Sequence, residues 1–211
     1  MQNNVSTMMN ENRHHRSFLE TIKVENGAWK HMDYHNKRFN ATRSSLLGID
    51  EATDLRSVLS IPDHAMSGVF KCRITYGPDI AKVEFEPYQP RAMTSLMLVE
   101  GDGVDYRFKF ADRSALDRLY ALRGDCDDII IVRKGLLTDT SYANIAFWDG
   151  HRWITPAEPL LAGTCRARLL DEGWLVEGAI RSKDLPGFSR IRIFNAMMDQ
   201  DISLEQLRIV E

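Results

Sequence analysis

The chain has 211 residues, with 27 basic against 30 acidic side chains and a net charge of −3, long enough to bury a substantial core as one large or two small domains. It has no basic run and no basic–aromatic interleaving, which argues against a nucleic-acid partner, and no apolar stretch approaches the roughly 18 residues of a bilayer span. The three cysteines, Cys72, Cys126 and Cys165, are odd in number and far apart, which suits neither a disulfide framework nor a C-x-x-C site, so a reducing cytoplasm is the expected compartment.

Residues 1–17 lack periodicity and a hydrophobic h-region, so they read as a mobile leader and not as a signal peptide. Phe18 to Val24 reads as a strand, Glu25-Asn26-Gly27 as a turn and Ala28-Trp29-Lys30 as the returning strand. From Asp33 as N-cap, Phe39, Thr42, Ser45 and Leu46 recur at helical spacing, with Gly48 placed to end the helix. A second short helix is expected from Thr53 to about Ser60, stopped by Pro62. Strict alternation in Phe70, Cys72, Ile74 and Tyr76, and again in Val83 and Phe85, predicts two strands. This half is a small α+β domain, residues 18–90, and the proline-containing stretch Pro87 to Arg91 is the expected linker.

A larger α/β domain, residues 91–211, is expected to follow. Leu96 to Val99 predicts a strand, Arg113 to Arg123 an amphipathic helix ended by Gly124, and the unbroken apolar run Ile129 to Val132 a strand covered on both faces. Asn144 to Trp148 and His151 to Thr155, separated by Asp149-Gly150, predict a two-residue hairpin. Gly163 to Gly173 reads as a helix and Arg190 to Phe194 as a late strand.

The chemistry is carried by short elements in a fixed order: His35-Asn36-Lys37-Arg38, Lys109-Phe110-Ala111-Asp112-Arg113, Thr138-Asp139 with Asn144 five residues beyond the aspartate, Thr155-Pro156 with Gly163-Thr164-Cys165-Arg166, and Phe194-Asn195-Ala196-Met197. Each element alone has an ordinary structural explanation. His31 and His35 share a helix face at metal-ligand spacing, for example, yet nothing nearby supplies a third ligand. Taken in order, the set resembles the class IV (fold type IV) pyridoxal-phosphate enzymes, the D-amino-acid and branched-chain aminotransferases and aminodeoxychorismate lyase. The resemblance covers roughly residues 18 to 200.

That resemblance implies a D-amino-acid aminotransferase-like fold, a homodimer, and pyridoxal 5′-phosphate bound in the cleft between the two domains. Lys109, among Tyr106, Phe108 and Phe110, would be the Schiff-base lysine, in aromatic surroundings that favour a neutral amine. Arg38 would hold the cofactor phosphate, because a guanidinium fork matches a phosphate dianion. Asp139 would face the pyridine nitrogen, one methylene shorter than the family's usual Glu. Thr164 and Cys165 would offer the phosphate a helix N-terminus, with Cys165 standing where the family has Thr, and Asn195 would complete the phosphate cup. The substrate class is a small molecule with amine and carboxylate groups, and Arg73, Arg107 or Arg113 could meet the carboxylate.

Ser114, where branched-chain aminotransferases place a tyrosine, and Asn195-Ala196-Met197 lean towards the lyase, which forms 4-aminobenzoate and pyruvate from 4-amino-4-deoxychorismate. A class IV aminotransferase of branched-chain L-amino acids or D-amino acids is the alternative. A non-catalytic cofactor-binding homologue is a third, suggested by Asp139, Cys165 and a chain shorter than usual before Phe18 and after Asn195.

Overall fold

The structure, a computed structural model, describes residues 17–210; residues 1–16 of the expected leader lie outside the described residues. The described chain falls into two compact units, one of residues 17–89 with Phe108–Asp112, the other of Pro90–Arg107 with residues 113–210. The segment around Lys109, which the sequence groups with the second domain, thus packs with the first. Phe18 bridges Phe110, the Leu19 N–H donates to the Lys109 carbonyl at 3.0 Å and the Ala111 N–H to the Ser17 carbonyl at 2.8 Å. The physical reason is apolar: Phe108 and Phe110 lie against the first unit's core.

In the first unit, β1 (Phe18–Glu25), β2 (Ala28–Trp29), β3 (Val69–Tyr76) and β4 (Ile80–Pro87) form an antiparallel sheet in the order β2-β1-β3-β4. Asn26 and Gly27, both at positive φ, make the tight turn between β1 and β2. One face of β1 and β3, namely Phe18, Ile22, Val24, Phe70, Cys72, Ile74 and Tyr76, joins Met32 and Phe39 of α1 (Met32–Thr42) and Leu55 of α2 (Leu55–Val58) in a single core. Each large apolar side chain fully buried there stabilises the fold by about 1.5–3 kcal/mol.

Helix α1 begins at Met32, with His31 in the left-handed conformation at its N-cap and no side-chain cap. Asp33 therefore sits inside the first turn instead of capping it, bonded to Arg56 at 2.7 Å. Burial of Met32 accounts for the early start, and an acid in the first turn still complements the helix dipole. After α1 the chain widens into a π-helical turn, Arg43–Leu47, which ends on left-handed Gly48 as the sequence predicts.

The second unit is built on one nine-stranded mixed sheet from β5 (Ser95–Glu100), β6 (Asp128–Arg133), β7 (Leu136–Thr140), β8 (Asn144–Trp148), β9 (Trp153–Pro156), β10 (Leu175–Gly178), β11 (Arg190–Phe194), β12 (Asp199–Ser203) and β13 (Arg208–Val210). Strand β6 is buried at Ile129, Ile130, Ile131 and Val132, as an unbroken apolar run requires. The β8–β9 connection is longer than the expected two-residue turn: Trp148 pairs with Trp153, and the Asp149 carboxylate accepts from the His151 and Arg152 amides at 2.8 Å each. That Asx geometry makes a four-residue loop the better solution. The unit also holds helices α3 (Ser114–Tyr120), which continues as a 3-10 turn over Ala121–Arg123, and α4 (Thr164–Asp171), each shorter at its ends than the helix the sequence predicts.

Candidate active site

In the first unit the decisive feature is a buried carboxylate that the motifs do not contain. Glu20 lies on the inward face of β1, in phase with Phe18, Ile22 and Val24, and is 0% exposed. Its Oε1 accepts from Arg38 Nε and its Oε2 from an Arg38 terminal nitrogen, both at 2.7 Å. Oε2 also meets His35 Nδ1 at 2.7 Å. Burial opposes ionisation, but the Arg38 charge, the Arg38 and His35 hydrogen bonds and the His35 contact outweigh it and bring the Glu20 pKa down to about 2. His35 goes the opposite way. Its burial lowers the pKa against the raising effect of Glu20, and Arg38 and Lys109 add to the lowering. A neutral His35 therefore donates from Nδ1 to the ionised carboxylate.

Lys109 thus stands within electrostatic reach of His35, and it is half-buried. Its φ of 52° puts a non-glycine residue in the left-handed region, a conformation that persists only where its surroundings enforce it, and such strain gathers at functional sites.

In the second unit, Asn144 is the point on which the motif residues converge. Asp139 pairs with Asn144 across β7 and β8, and Phe194, immediately before Asn195, pairs with Asn144 across β8 and β11. Asp139 Oδ1 accepts from Asn144 Nδ2 at 2.8 Å and Oδ2 from the Leu161 N–H at 2.8 Å, while Asn144 Nδ2 also donates to the Leu161 carbonyl at 2.8 Å. This is a closed ring of carboxylate, amide and peptide. On its other side Asn144 Oδ1 lies so close to Gly163 that a Cβ there would collide with it. The five-residue spacing from acid to asparagine and the glycine that opens Gly-Thr-Cys-Arg are therefore parts of one contact.

Asp139 is 4% exposed, and among the described residues no ion pair reaches it. Burial raises its pKa to about 7 against the lowering effect of the Leu161 and Asn144 hydrogen bonds and the Arg166 charge. A raised carboxyl pKa means that the folded, cofactor-free protein binds a proton the unfolded chain has already released, so this contribution is fully present below about pH 4 and is lost as pH rises through about 7. The effect is on the order of 4 kcal/mol. Between pH 4 and 7 the cofactor-free wild type should lose stability relative to Asp139→Asn in denaturant unfolding, because His35 and Asp128, which are also shifted, titrate alike in both proteins. An unchanged slope in the variant would assign the titration to another group.

Helix α4 starts at Thr164 with Gly163 as N-cap and no capping side chain, and its first backbone bond is Ala167 N–H to the Gly163 carbonyl at 2.9 Å. The Thr164, Cys165 and Arg166 N–H groups precede that bond and have no intrahelical acceptor, as at any helix start. The Cys165 side chain packs with Ala146, Leu169, Leu175 and Phe194, which leaves its backbone N–H as the group it offers an anion. Arg166 ties the helix to the Thr155-Pro156 strand, donating to the Pro156 carbonyl at 2.9 Å and to Glu177 at 2.6 Å. Asn195 Oδ1 accepts from the Met197 and Met198 amides at 2.8 and 3.1 Å, so its side chain shapes the turn after β11. Arg113 donates to the Ser141 carbonyl at 2.9 Å and holds the loop between β7 and β8.

A buried carboxylate raised to about 7 with no ion-pair partner among the described residues, and a helix start with uncapped N–H groups, together suit a ligand that carries a protonated ring nitrogen and an anionic group. The comparisons with known proteins decide the family, for the model of "Amino-transferase class IV" matches residues 17–200. The chain belongs to the class IV aminotransferase family. It is 34% identical over 181 residues to an uncharacterized protein of Haemophilus influenzae, covering 85% of this chain and 96% of that one. A structure from Haemophilus somnus, provisionally named a 4-amino-4-deoxychorismate lyase, superposes with a TM-score of 0.79 at 34% identity over 87% of this chain and 97% of that one. The PLP-bound form of a hypothetical aminotransferase from Mycobacterium tuberculosis shares the fold at 18% identity and a TM-score of 0.73, over 91% of this chain and 82% of that one. The fold is the mixed α/β architecture of the fold type IV enzymes.

Proposed function

We propose that this class IV chain is a pyridoxal-phosphate-dependent lyase that converts 4-amino-4-deoxychorismate to 4-aminobenzoate and pyruvate. The observation that carries the cofactor part is Asp139, a buried carboxylate that forms no ion pair among the described residues and is held by the Asn144 amide and the Leu161 N–H. Bound pyridoxal phosphate would supply an electron sink for the carbanion at the substrate's amine-bearing carbon. Lys109 would hold the cofactor covalently, give it up to the substrate amine, and then take the proton from that carbon as general base. Asp139 would keep a proton on the pyridine nitrogen. Arg38, the Thr164 and Cys165 N–H groups and the Asn195 turn would hold the phosphate. Loss of pyruvate leaves an aromatic ring, which drives the reaction forward.

Support for the lyase over a transaminase comes from the name of the Haemophilus somnus relative, from Asn195-Ala196-Met197, and from Ser114 in the place of a tyrosine. A homodimer and a cytoplasmic location complete the proposal. Its test is release of 4-aminobenzoate by the cofactor-loaded protein supplied with aminodeoxychorismate, lost in Lys109→Ala. No product, together with conversion of the cofactor to its amine form by a panel of amino acids, would replace the lyase with the transaminase. Neither activity in a protein that binds the cofactor would make it a non-catalytic homologue.

A further inference from the structure

The Glu20 cluster is not accounted for by the proposed chemistry. A fully buried carboxylate is costly, and a buried ion pair stabilises a fold no better than well-packed apolar side chains of the same volume. The remaining positions of this strand face are apolar, namely Phe18, Ile22 and Val24, so an apolar residue at position 20 would extend the core without desolvating any charge. What the acid does do is geometric. Its two oxygens engage two nitrogens of Arg38 in a bidentate pair, both at 2.7 Å, and one of them also receives His35 from the preceding turn of α1. His35 and Arg38 are three residues apart, so both project from one face of α1 towards β1.

We propose that Glu20 is a positioning residue for cofactor binding: by two hydrogen bonds to Arg38 and one to His35 it sets the plane of the Arg38 guanidinium before the cofactor phosphate arrives. This inference rests on the pyridoxal-phosphate reading above. An arginine side chain carries substantial rotamer entropy, and an arginine already held in one orientation loses less of it when a phosphate binds. The guanidinium has five N–H donors in a rigid fork, so fixing one edge fixes the direction of the others. The Glu20 charge also offsets that of Arg38, so that phosphate recognition at this position depends on donor geometry more than on net charge.

Pyridoxal, which lacks the phosphate, separates this role from a merely structural one. Affinities of the full-length protein for pyridoxal phosphate and for pyridoxal would be measured by fluorescence titration in wild type, Glu20→Gln, Arg38→Ala and the double variant. Glu20→Gln is expected to weaken pyridoxal phosphate about tenfold, on the scale of one side chain's ordering, and to leave pyridoxal within about twofold. Arg38→Ala is expected to lose at least as much of the same preference, and the double variant no more than Arg38→Ala alone. Should Glu20→Gln fold poorly, Glu20→Asp keeps the charge but withdraws the carboxylate by one methylene, and the same selective loss is expected. Equal weakening of both ligands, no weakening, or additive losses in the double variant would overturn the role of Glu20 while leaving Arg38 in place. If Arg38→Ala itself keeps the full preference for the phosphorylated ligand, Arg38 is not the phosphate residue, and the assignment of Arg38 falls together with that of Glu20.

Discussion

Lys109→Ala is expected to remove the visible absorbance band of the cofactor-loaded protein and to abolish turnover while the fold persists. Under the proposed chemistry, loss of a general base alone costs on the order of 10²- to 10⁴-fold, and loss of the covalent attachment would add to this. The fold should survive because the contacts that tie this segment down remain in the variant: the Lys109 carbonyl accepts from Leu19 N–H, Phe110 bridges Phe18, and Phe108 and Phe110 stay packed on the first unit's core. Alanine at φ 52° bears the same left-handed strain as lysine, so the stability of that variant should stay close to wild type. Lys109→Gly differs. Relief of a left-handed non-glycine conformation is worth roughly 1–2 kcal/mol, offset in part by the greater freedom of an unfolded glycine. In the absence of cofactor it should therefore melt at or above the wild-type temperature, by up to a few degrees, while it too lacks the band. A residue whose removal costs all function and no stability is one whose strain is kept for function. Retention of the absorbance band by either variant would show that another amine carries the cofactor.

Much of the candidate site's geometry was legible because its spacing is local. Asp139 and Asn144 are five residues apart on strands joined by a short loop, so their pairing follows from the chain order, and Gly48 and Gly124 end their helical segments where the hydrophobic periodicity stops. Glu20 left a signal that residue-type reasoning suppresses. Its position alternates with Phe18, Ile22 and Val24, but a lone glutamate in such a pattern is ordinarily solvated, and its partners Arg38 and His35 lie in another element. The first-unit placement of residues 108–112 was invisible for a related reason. Phe108 and Phe110 announce burial, and only the tertiary structure says in which core. Strands β10 and β13 are only four and three residues long, too short for periodicity to mark them, and β12 is polar, with Asp199, Gln200 and Asp201, so pairing with neighbouring strands forms them instead.

The need for Gly163 is likewise a tertiary fact, and it supplies the second large effect. Its φ of −67° and ψ of 149° are open to any residue, so backbone freedom does not explain the glycine. The obstacle is Asn144 Oδ1, with which a Cβ would collide. Asn144 cannot withdraw cheaply, since its Nδ2 serves both Asp139 and the Leu161 carbonyl at 2.8 Å. Gly163→Ala should therefore cost about 3 kcal/mol, combining overpacking with broken buried hydrogen bonds, and lower the melting temperature by roughly 6–12 °C for a chain of this size. Gly187→Ala, whose Cβ meets nothing within 4 Å, should change stability by no more than about 0.5 kcal/mol. Deleting the obstacle tests the cause: Asn144→Ala is destabilising alone, but combined with Gly163→Ala it should cost clearly less than the two effects added. Displacing Asn144 also takes from Asp139 a hydrogen bond that lowers its pKa, so the carboxyl becomes more fully protonated near neutral pH and, under the proposed chemistry, the cofactor is held less tightly. A Gly163→Ala protein with wild-type melting temperature and cofactor affinity would mean that the helix start moves freely away from Asn144, and that the ring around Asp139 does not depend on this close approach.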